Sequence, residues 1–211
     1  MFRSARHLGP AIAGLLLMLT PVAARSDSSA QVADLYRASY REEAGGKAAK
    51  ALDLMKQIHS SRGASYFTWA RRGWLAYLAG RFAESEQAYA EAAKLKPDAI
   101  EPRLGLTLPL LAQKKWRPLE KACREVLKLD PQNAVARARL AHAYYSIGNY
   151  PDSATLYRKL VKDYPADLDN QTGLGWALAR MGRGAEAKKV FAAVLEVSPD
   201  NVNARQGIAL P

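Results

Sequence analysis

The residues with the greatest chemical reactivity are scarce in this sequence, which contains one cysteine, Cys123, and three histidines. His142 has no second ligand or carboxylate at metal-binding spacing, and no HExxH, GxSxG, CxxC or P-loop pattern occurs. "GLGWALARMG" begins like a dinucleotide-binding fingerprint, but Leu178 replaces the third glycine and no strand is expected before it. Cys123 falls at a position where a buried apolar side chain is expected. The sequence therefore predicts no enzyme, no cofactor and no metal site.

Aromatic and arginine side chains recur every 34 residues, and they are typical of recognition rather than catalysis. Aromatic faces contribute contact area at little entropic cost, and guanidinium groups donate paired hydrogen bonds to carboxylates or stack on rings. One row consists of Tyr40, Trp74, Leu108, His142 and Trp176, and another of Arg37, Arg71, Gly105, Arg139, Gly173 and Gly207. The glycines of the second row are expected to let the backbone of a ligand come close. Alternatively, the rings wedge between helices and the arginines are solvated.

These rows follow from an internal repeat of 34 residues, marked by Pro97, Pro131, Pro165 and Pro199. Repeat units are predicted at 66–99, 100–133, 134–167 and 168–201, with a degenerate unit at 32–65 and a partial sixth unit or capping segment at 202–211. Each unit is predicted to form two antiparallel helices. A single unit cannot bury its apolar faces, so the units are expected to stack into a solenoid.

Small residues and glycines give each unit its helical hairpin. Positions 8 and 20 of a unit are usually small, which lets the two helices approach closely. A glycine such as Gly148 at position 15 ends the first helix in the left-handed conformation. The third unit departs from this pattern, since Pro109 lies inside its first helix and Lys114 replaces the glycine. A local kink is expected there.

The repeat resembles the tetratricopeptide repeat family in the positions that carry the family pattern. In the unit at 66–99 these positions are Trp69, Gly73, Tyr89, Ala92 and Pro97. The resemblance implies an all-α, right-handed superhelical solenoid of helix-turn-helix units whose inner face binds proteins or peptides. The Lys and Asn pair with which some members grip carboxylates is absent.

The first helices are expected to line the concave face, and the candidate partner-binding groove is assigned on that basis. Rows of aromatic and arginine residues on one face favour binding over simple core packing. The groove is predicted to consist of Tyr36, Arg37, Tyr40, Phe67, Arg71, Trp74, Tyr77, Leu108, Arg139, His142, Tyr145, Trp176 and Arg180.

The N-terminal residues indicate export. Residues 1–24 combine a basic start, an apolar run too short to cross a bilayer and small residues at Val22 and Ala24, which predicts a secretory signal peptide cleaved after Ala24. A short linker is expected at 25–31. Cleavage lowers the net charge from +11 to +9. The expected location is the periplasm, and in an exported protein this charge favours an acidic protein partner or an anionic envelope polymer over nucleic acid.

Three functional hypotheses remain open. The first is a non-enzymatic adaptor or scaffold of the cell envelope that binds a protein or peptide segment in its groove, with an acidic partner among those expected. The second is a structural or assembly subunit that self-associates or docks through its end. The third is binding of anionic glycan or lipid through the basic surface. Membrane contact is expected only through the signal peptide or a partner complex.

Overall fold

The computed structural model describes residues 22–210, with side chains from residue 29 onward. Within this range it contains eleven helices and no strand. The helices are α1 (Val22–Ala44), α2 (Ala48–Arg62), α3 (Tyr66–Leu78), α4 (Phe82–Leu95), α5 (Glu101–Ala112), α6 (Trp116–Leu129), α7 (Ala134–Ser146), α8 (Tyr150–Asp163), α9 (Leu168–Arg180), α10 (Gly184–Val197) and α11 (Val202–Ile208).

The helices pair and stack in chain order. Each helix packs against the next, and the first helices of successive units also pack together, α3 on α5, α5 on α7, α7 on α9 and α9 on α11. The core lies between the layer of first helices and the layer of second helices, with fully buried side chains such as Leu75, Leu119 and Phe191. This arrangement confirms the predicted fold class, an all-α right-handed superhelical solenoid of helix-turn-helix units.

The small residues inside each hairpin allow hydrogen bonds between its two helices. The buried Ser85 hydroxyl donates to the backbone oxygen of Gly73 at 2.7 Å, and the Ser153 hydroxyl donates to that of Ala141 at 2.9 Å. These bonds satisfy buried hydroxyls that would otherwise cost free energy. They also hold the helix backbones at close approach.

The turn between the two helices of a unit has the same backbone conformation in the regular units and in the irregular third unit. Gly148 has φ of 84°, and the amide of the following residue, Asn149, donates to the backbone oxygen of Tyr144 at 2.8 Å. In the third unit Lys114 has φ of 54°, and the amide of Lys115 donates in the same way to Leu110 at 2.9 Å. Lys114 therefore adopts the left-handed conformation that glycine adopts in the other turns. Helix α5 continues through Pro109 to Ala112.

Side-chain caps begin most of the first helices. Ser65, Asn133, Asp167 and Asn201 each accept a hydrogen bond from the backbone amide three residues later. Such caps satisfy amides that have no partner inside the helix. They fix where each first helix starts, and hence the register of its concave side chains.

The expected signal peptide lies almost entirely outside the described residues. Helix α1 begins at Val22 and runs through 25–31, the segment where a linker is expected. Among the helices from residue 22 onward, none combines the length and apolar character that a transmembrane span requires.

Candidate functional site

The concave face near the N-terminal units holds a hydrogen-bonded group of side chains. Trp74 donates from Nε1 to Oε1 of Glu43 at 2.6 Å, and Arg71 approaches the other oxygen of Glu43 at 2.8 Å. The guanidinium of Arg71 also lies 3.6 Å from the centre of the Tyr40 ring. Arg71 is thus paired with a carboxylate and a ring of the neighbouring unit, whereas Tyr40 and Trp74 remain exposed.

Arg139 occupies the equivalent position two units later and is held in a similar way. Its Nη1 atom donates to the backbone oxygen of Leu104 at 3.1 Å and to the hydroxyl of Thr107. Arg71 likewise donates to the hydroxyl of Ser39 at 3.1 Å. In both cases an arginine of one first helix bonds to a hydroxyl of the preceding first helix, so these two arginines link neighbouring units.

The glycines of the same row have a different role from the one expected. A Cβ atom on Gly105 would lie 2.3 Å from the Tyr89 ring, and one on Gly173 would lie 2.5 Å from the Tyr157 ring. A Cβ atom on Gly207 would likewise clash with the ring of Phe191. Aromatic rings of the preceding second helices therefore fill the space on the Cβ side of these glycines, which accounts for glycine at these positions without a ligand.

A cavity of about 500 Å³ opens on the concave face between α7, α9 and α11. This volume is in the range of sites that hold a peptide side chain or a small molecule. Every lining residue but one comes from a first helix. The lining residues are His142, Tyr145, Tyr157, Asp169, Thr172, Gly173, Trp176, Asn203 and Gln206. We refer to this space as the concave cavity.

Aromatic side chains form much of the wall of the concave cavity. The rings of Trp176 and Phe191 meet edge to face at 5.5 Å, and Tyr145 meets Tyr150 at the same distance. These contacts hold Trp176 and Tyr145 in place from behind. The wall is consequently rigid before any ligand arrives, which lowers the entropic cost of binding.

Burial shifts the pKa values of the histidine and the tyrosines that line the concave cavity toward their neutral forms. Burial raises the pKa of Tyr157 to about 12. Although part of the His142 ring is exposed, desolvation of the rest lowers its pKa below the ordinary value. The one carboxylate in the lining belongs to Asp169, which lies in the first turn of α9.

The sequence predicts three of the residues that line the concave cavity, His142, Tyr145 and Trp176. The other six, among them Asp169 and Gln206, do not belong to the predicted groove. Five of these six occupy concave positions of the same repeat, so the 34-residue register contains the signal that identifies them. Tyr157 is the sixth, and it enters from a second helix because Gly173 leaves room for its ring.

The remaining predicted groove residues are spread along the first helices. Phe67 is 70% exposed and lies beside Tyr66, with Lys96 near both rings. Tyr77 lies 5.9 Å from Trp74. Tyr36 packs on the N-terminal core, Arg37 is paired with Asp34, Leu108 is half-buried, and Arg180 bonds to the Tyr150 hydroxyl at 3.0 Å.

The residues considered for catalysis lie apart from one another. Cys123 is fully buried, and burial raises the pKa of its thiol to about 12. His142 lies against the ring of Trp116 at 5.3 Å, and His59 against that of Trp69 at 4.5 Å. Among the side chains described, from residue 29 to 210, no three of His, Cys, Asp or Glu are grouped as a metal site requires.

Basic side chains are clustered on and beside the second helix of the third unit, and most of them form ion pairs with glutamates. Arg124 and Arg117 both approach Glu120, and Lys128 approaches Glu125 at 2.7 Å. Lys115 approaches Glu86 at 2.7 Å. These ion pairs lower the positive potential that this surface offers to an anionic polymer.

Solved structures with the same fold include proteins of several bacteria. A MamA protein from Desulfovibrio magneticus RS-1 is 20% identical with a TM-score of 0.74, over 81% of this chain and 97% of that one. YrrB, described as a TPR protein with an unusual peptide-binding site, is 11% identical with a TM-score of 0.75, over 89% and 97% of the two chains. A tetratricopeptide repeat protein from Parabacteroides merdae is 15% identical with a TM-score of 0.77, over 84% and 71%. At these identities the likeness establishes the fold alone.

Sequence comparison with protein families covers the second half of the chain. A comparison with curated protein sequences gives no significant match. Two family models, both described as tetratricopeptide repeat, match residues 120–174 and 169–201. These two matches, together with the solenoid of helical hairpins, support membership of the tetratricopeptide repeat family.

Proposed function

We propose that this protein is a non-enzymatic interaction scaffold that binds a segment of a partner protein along its concave face. The observation that carries this proposal is the concave cavity, a preformed space of about 500 Å³ that is lined by residues of three successive units and has aromatic side chains from two of them. The solenoid fold supports it, because YrrB shares the fold and is described as having a peptide-binding site.

The bound segment extends from the concave cavity toward the N-terminal units. Tyr40, Phe67 and Trp74 expose 57%, 70% and 37% of their surfaces on the first helices there. Exposed aromatic side chains on a rigid scaffold are typical of contact surfaces between proteins. The concave cavity anchors the segment, and these rings provide further contact area.

The scaffold works in the cell envelope in this proposal. The support comes from residues 1–24, whose basic start, short apolar run and small residues at the cleavage site are those of a signal peptide. Separation of periplasm, cytoplasm and membranes from cells that express the full-length chain tests the location. Recovery of the uncleaved chain in the cytoplasm would contradict it.

A selection of binding peptides tests the groove. Random twelve-residue peptides displayed on phage are selected on the full-length chain, and the best binders are synthesised with a fluorescent label. Changing Trp176 to Ala is expected to weaken their binding at least tenfold, because a central aromatic anchor is worth about 2 kcal/mol or more. Fluorescence anisotropy measures the affinity.

A second variant separates loss of the site from loss of the fold. Gln206→Trp places a large ring at the exposed rim of the concave cavity and removes nothing from the core. It is expected to block the same peptides, whereas Lys159→Trp on the exposed surface of α8 leaves binding unchanged. Peptides that bind all three variants and the parent chain equally well would overturn the proposal.

A second function, self-association through α10 and α11, is favoured by one observation. Val202 is 65% exposed and Ile208 is 38% exposed, whereas Leu174, the counterpart of Ile208 one unit earlier, is 8% exposed. Exposed apolar side chains at a position that is buried elsewhere indicate a surface that a second copy can cover.

A further inference from the structure

The charge of the concave cavity is opposite to that of the chain as a whole. The sequence has a net charge of +11, yet the lining of the concave cavity includes no lysine or arginine. Its one formal charge is the carboxylate of Asp169. The concave cavity is therefore a locally acidic or neutral space on a basic protein.

Two arginines on the helices that line the concave cavity, Arg180 and Arg205, form hydrogen bonds outside it. Arg180 donates to the hydroxyl of Tyr150 at 3.0 and 3.2 Å. Arg205 approaches the carboxylate of Asp200 at 2.6 Å and donates to the backbone oxygen of Pro199 at 2.7 Å. Neither arginine belongs to the lining of the concave cavity.

Backbone amides at the starts of α9 and α11 also have partners. The Asp167 side chain accepts from the amide of Asn170 at 3.0 Å, and Asn201 accepts from the amide of Ala204 at 2.9 Å. Capped amides are not available to hold an anion at these helix starts. An acidic side chain in the concave cavity would thus meet the Asp169 carboxylate without a compensating donor of positive charge.

A cationic side chain fits the same surroundings well. The ring faces of Tyr145 and Trp176 carry the partial negative charge that attracts ammonium and guanidinium groups. The methylene carbons of a lysine or arginine side chain pack against the same rings while the charged end reaches a carboxylate. Asn203 and Gln206 add side-chain oxygens that accept hydrogen bonds from such a group.

We propose that the concave cavity takes a lysine or arginine side chain of the bound segment, with Asp169 as its counter-ion and the rings of Tyr145 and Trp176 as its walls. This inference rests on the proposed function, since it specifies what the groove recognises. It replaces the acidic partner expected from net charge with a segment that is basic at its anchoring residue.

Peptides selected as described above test this inference. Those blocked by Gln206→Trp are expected to share one lysine or arginine, and replacing it with Gln is expected to weaken binding about fivefold to tenfold. Asp169→Asn is expected to weaken binding of the parent peptide by a similar factor and to leave the Gln peptide unchanged. Asp169→Lys is expected to favour a peptide with Glu at that position.

The control is Glu196→Gln, which removes one negative charge from an exposed site on α10 outside the cavity. It is expected to leave the affinities unchanged, and melting curves establish that each variant is folded. The cationic anchor would be refuted if the peptides blocked by Gln206→Trp share no basic residue, or if Asp169→Asn leaves their affinity unchanged. Either outcome would leave the proposed groove intact. Peptides insensitive to both Gln206→Trp and Trp176→Ala would refute the groove itself.

Discussion

Lys114 adopts a backbone conformation that is costly for any residue with a Cβ atom. Its φ of 54° places it in the left-handed region, where the turn of every other hairpin has a glycine. The hydrogen bonds of the turn are retained, so the strain is borne by this residue and does not change the path of the chain. Sequence alone reveals the substitution, but the outcome depends on whether the surrounding hairpin is strong enough to impose the turn.

Changing Lys114 to Gly is expected to stabilise the protein by about 0.5–1 kcal/mol, because relief of left-handed strain exceeds the entropy that glycine loses on folding. Urea denaturation followed by circular dichroism measures the change. The reciprocal variant Gly148→Lys serves as the control and is expected to destabilise by a similar amount. An unchanged or lowered midpoint for Lys114→Gly would show that the turn imposes no strain.

The concave cavity shows how much of a site the sequence pattern can predict. The 34-residue register predicts that His142, Tyr145 and Trp176 lie on the concave side, and all three line the cavity. It does not predict the partners of Arg71 and Arg139, since a spacing cannot tell whether a guanidinium faces solvent or a neighbouring helix. The role of Gly105 is missed for the same reason, because the ring that fills its space comes from Tyr89 on a different helix.

At the scale of helices, two ways of joining neighbouring units alternate over the first four of the five junctions described, and the fifth is of the same kind as the fourth. Where the second helix carries a ring, at Tyr89, Tyr157 and Phe191, the next first helix has glycine against that ring. Where the second helix carries Met55 or Cys123, the next first helix has an arginine, and that arginine bonds to Ser39 or Thr107. Each junction is thus filled either by a ring against glycine or by an arginine bonded to a hydroxyl.

This alternation predicts that the residues of one kind of junction can be replaced by those of the other kind only if all of them are changed together. Cys123→Tyr alone is expected to destabilise by about 1–3 kcal/mol, because the new ring meets Arg139 in a filled space. Adding Arg139→Gly and Thr107→Ala is expected to restore part of that loss, since the ring then lies against glycine as Tyr157 does. Urea denaturation of the single, double and triple variants measures the coupling energy.

The control for this exchange uses the same types of substitution in junctions that do not touch. Cys123→Tyr combined with Arg71→Gly is expected to give additive losses, because Arg71 bonds to the unit of Ser39, far from Cys123. Additive losses also for Cys123→Tyr with Arg139→Gly would show that ring and arginine do not compete for one space.

At the scale of the whole molecule, the fold follows from the sequence more directly than the site does. A period of 34 residues, small residues inside each hairpin and glycine at every turn but one dictate helical pairs that can bury their faces only by stacking. Those features are local to one unit and recur in the others, so a few of them are enough to predict the fold. Binding specificity instead depends on side chains that differ between units, and on charges that net composition hides, as the acidic cavity of this basic chain illustrates.

The apolar surface of α10 and α11 leads to a last prediction about the whole molecule. Val202 is 65% exposed, whereas its counterparts in the earlier units are half-buried or, at Val32, buried; Val197, at the end of α10, is 71% exposed. A second copy that covers these side chains removes apolar area from water, at about 25 cal/mol per Å². Sedimentation equilibrium is therefore expected to show association that grows with concentration, and Val202→Lys with Ile208→Lys is expected to abolish it. Leu95→Lys, at a side chain 51% exposed on α4, is the matched control and should leave association intact. A parent chain that stays monomeric over the whole concentration range, or association that survives the paired lysines, would exclude this surface as an interface between copies.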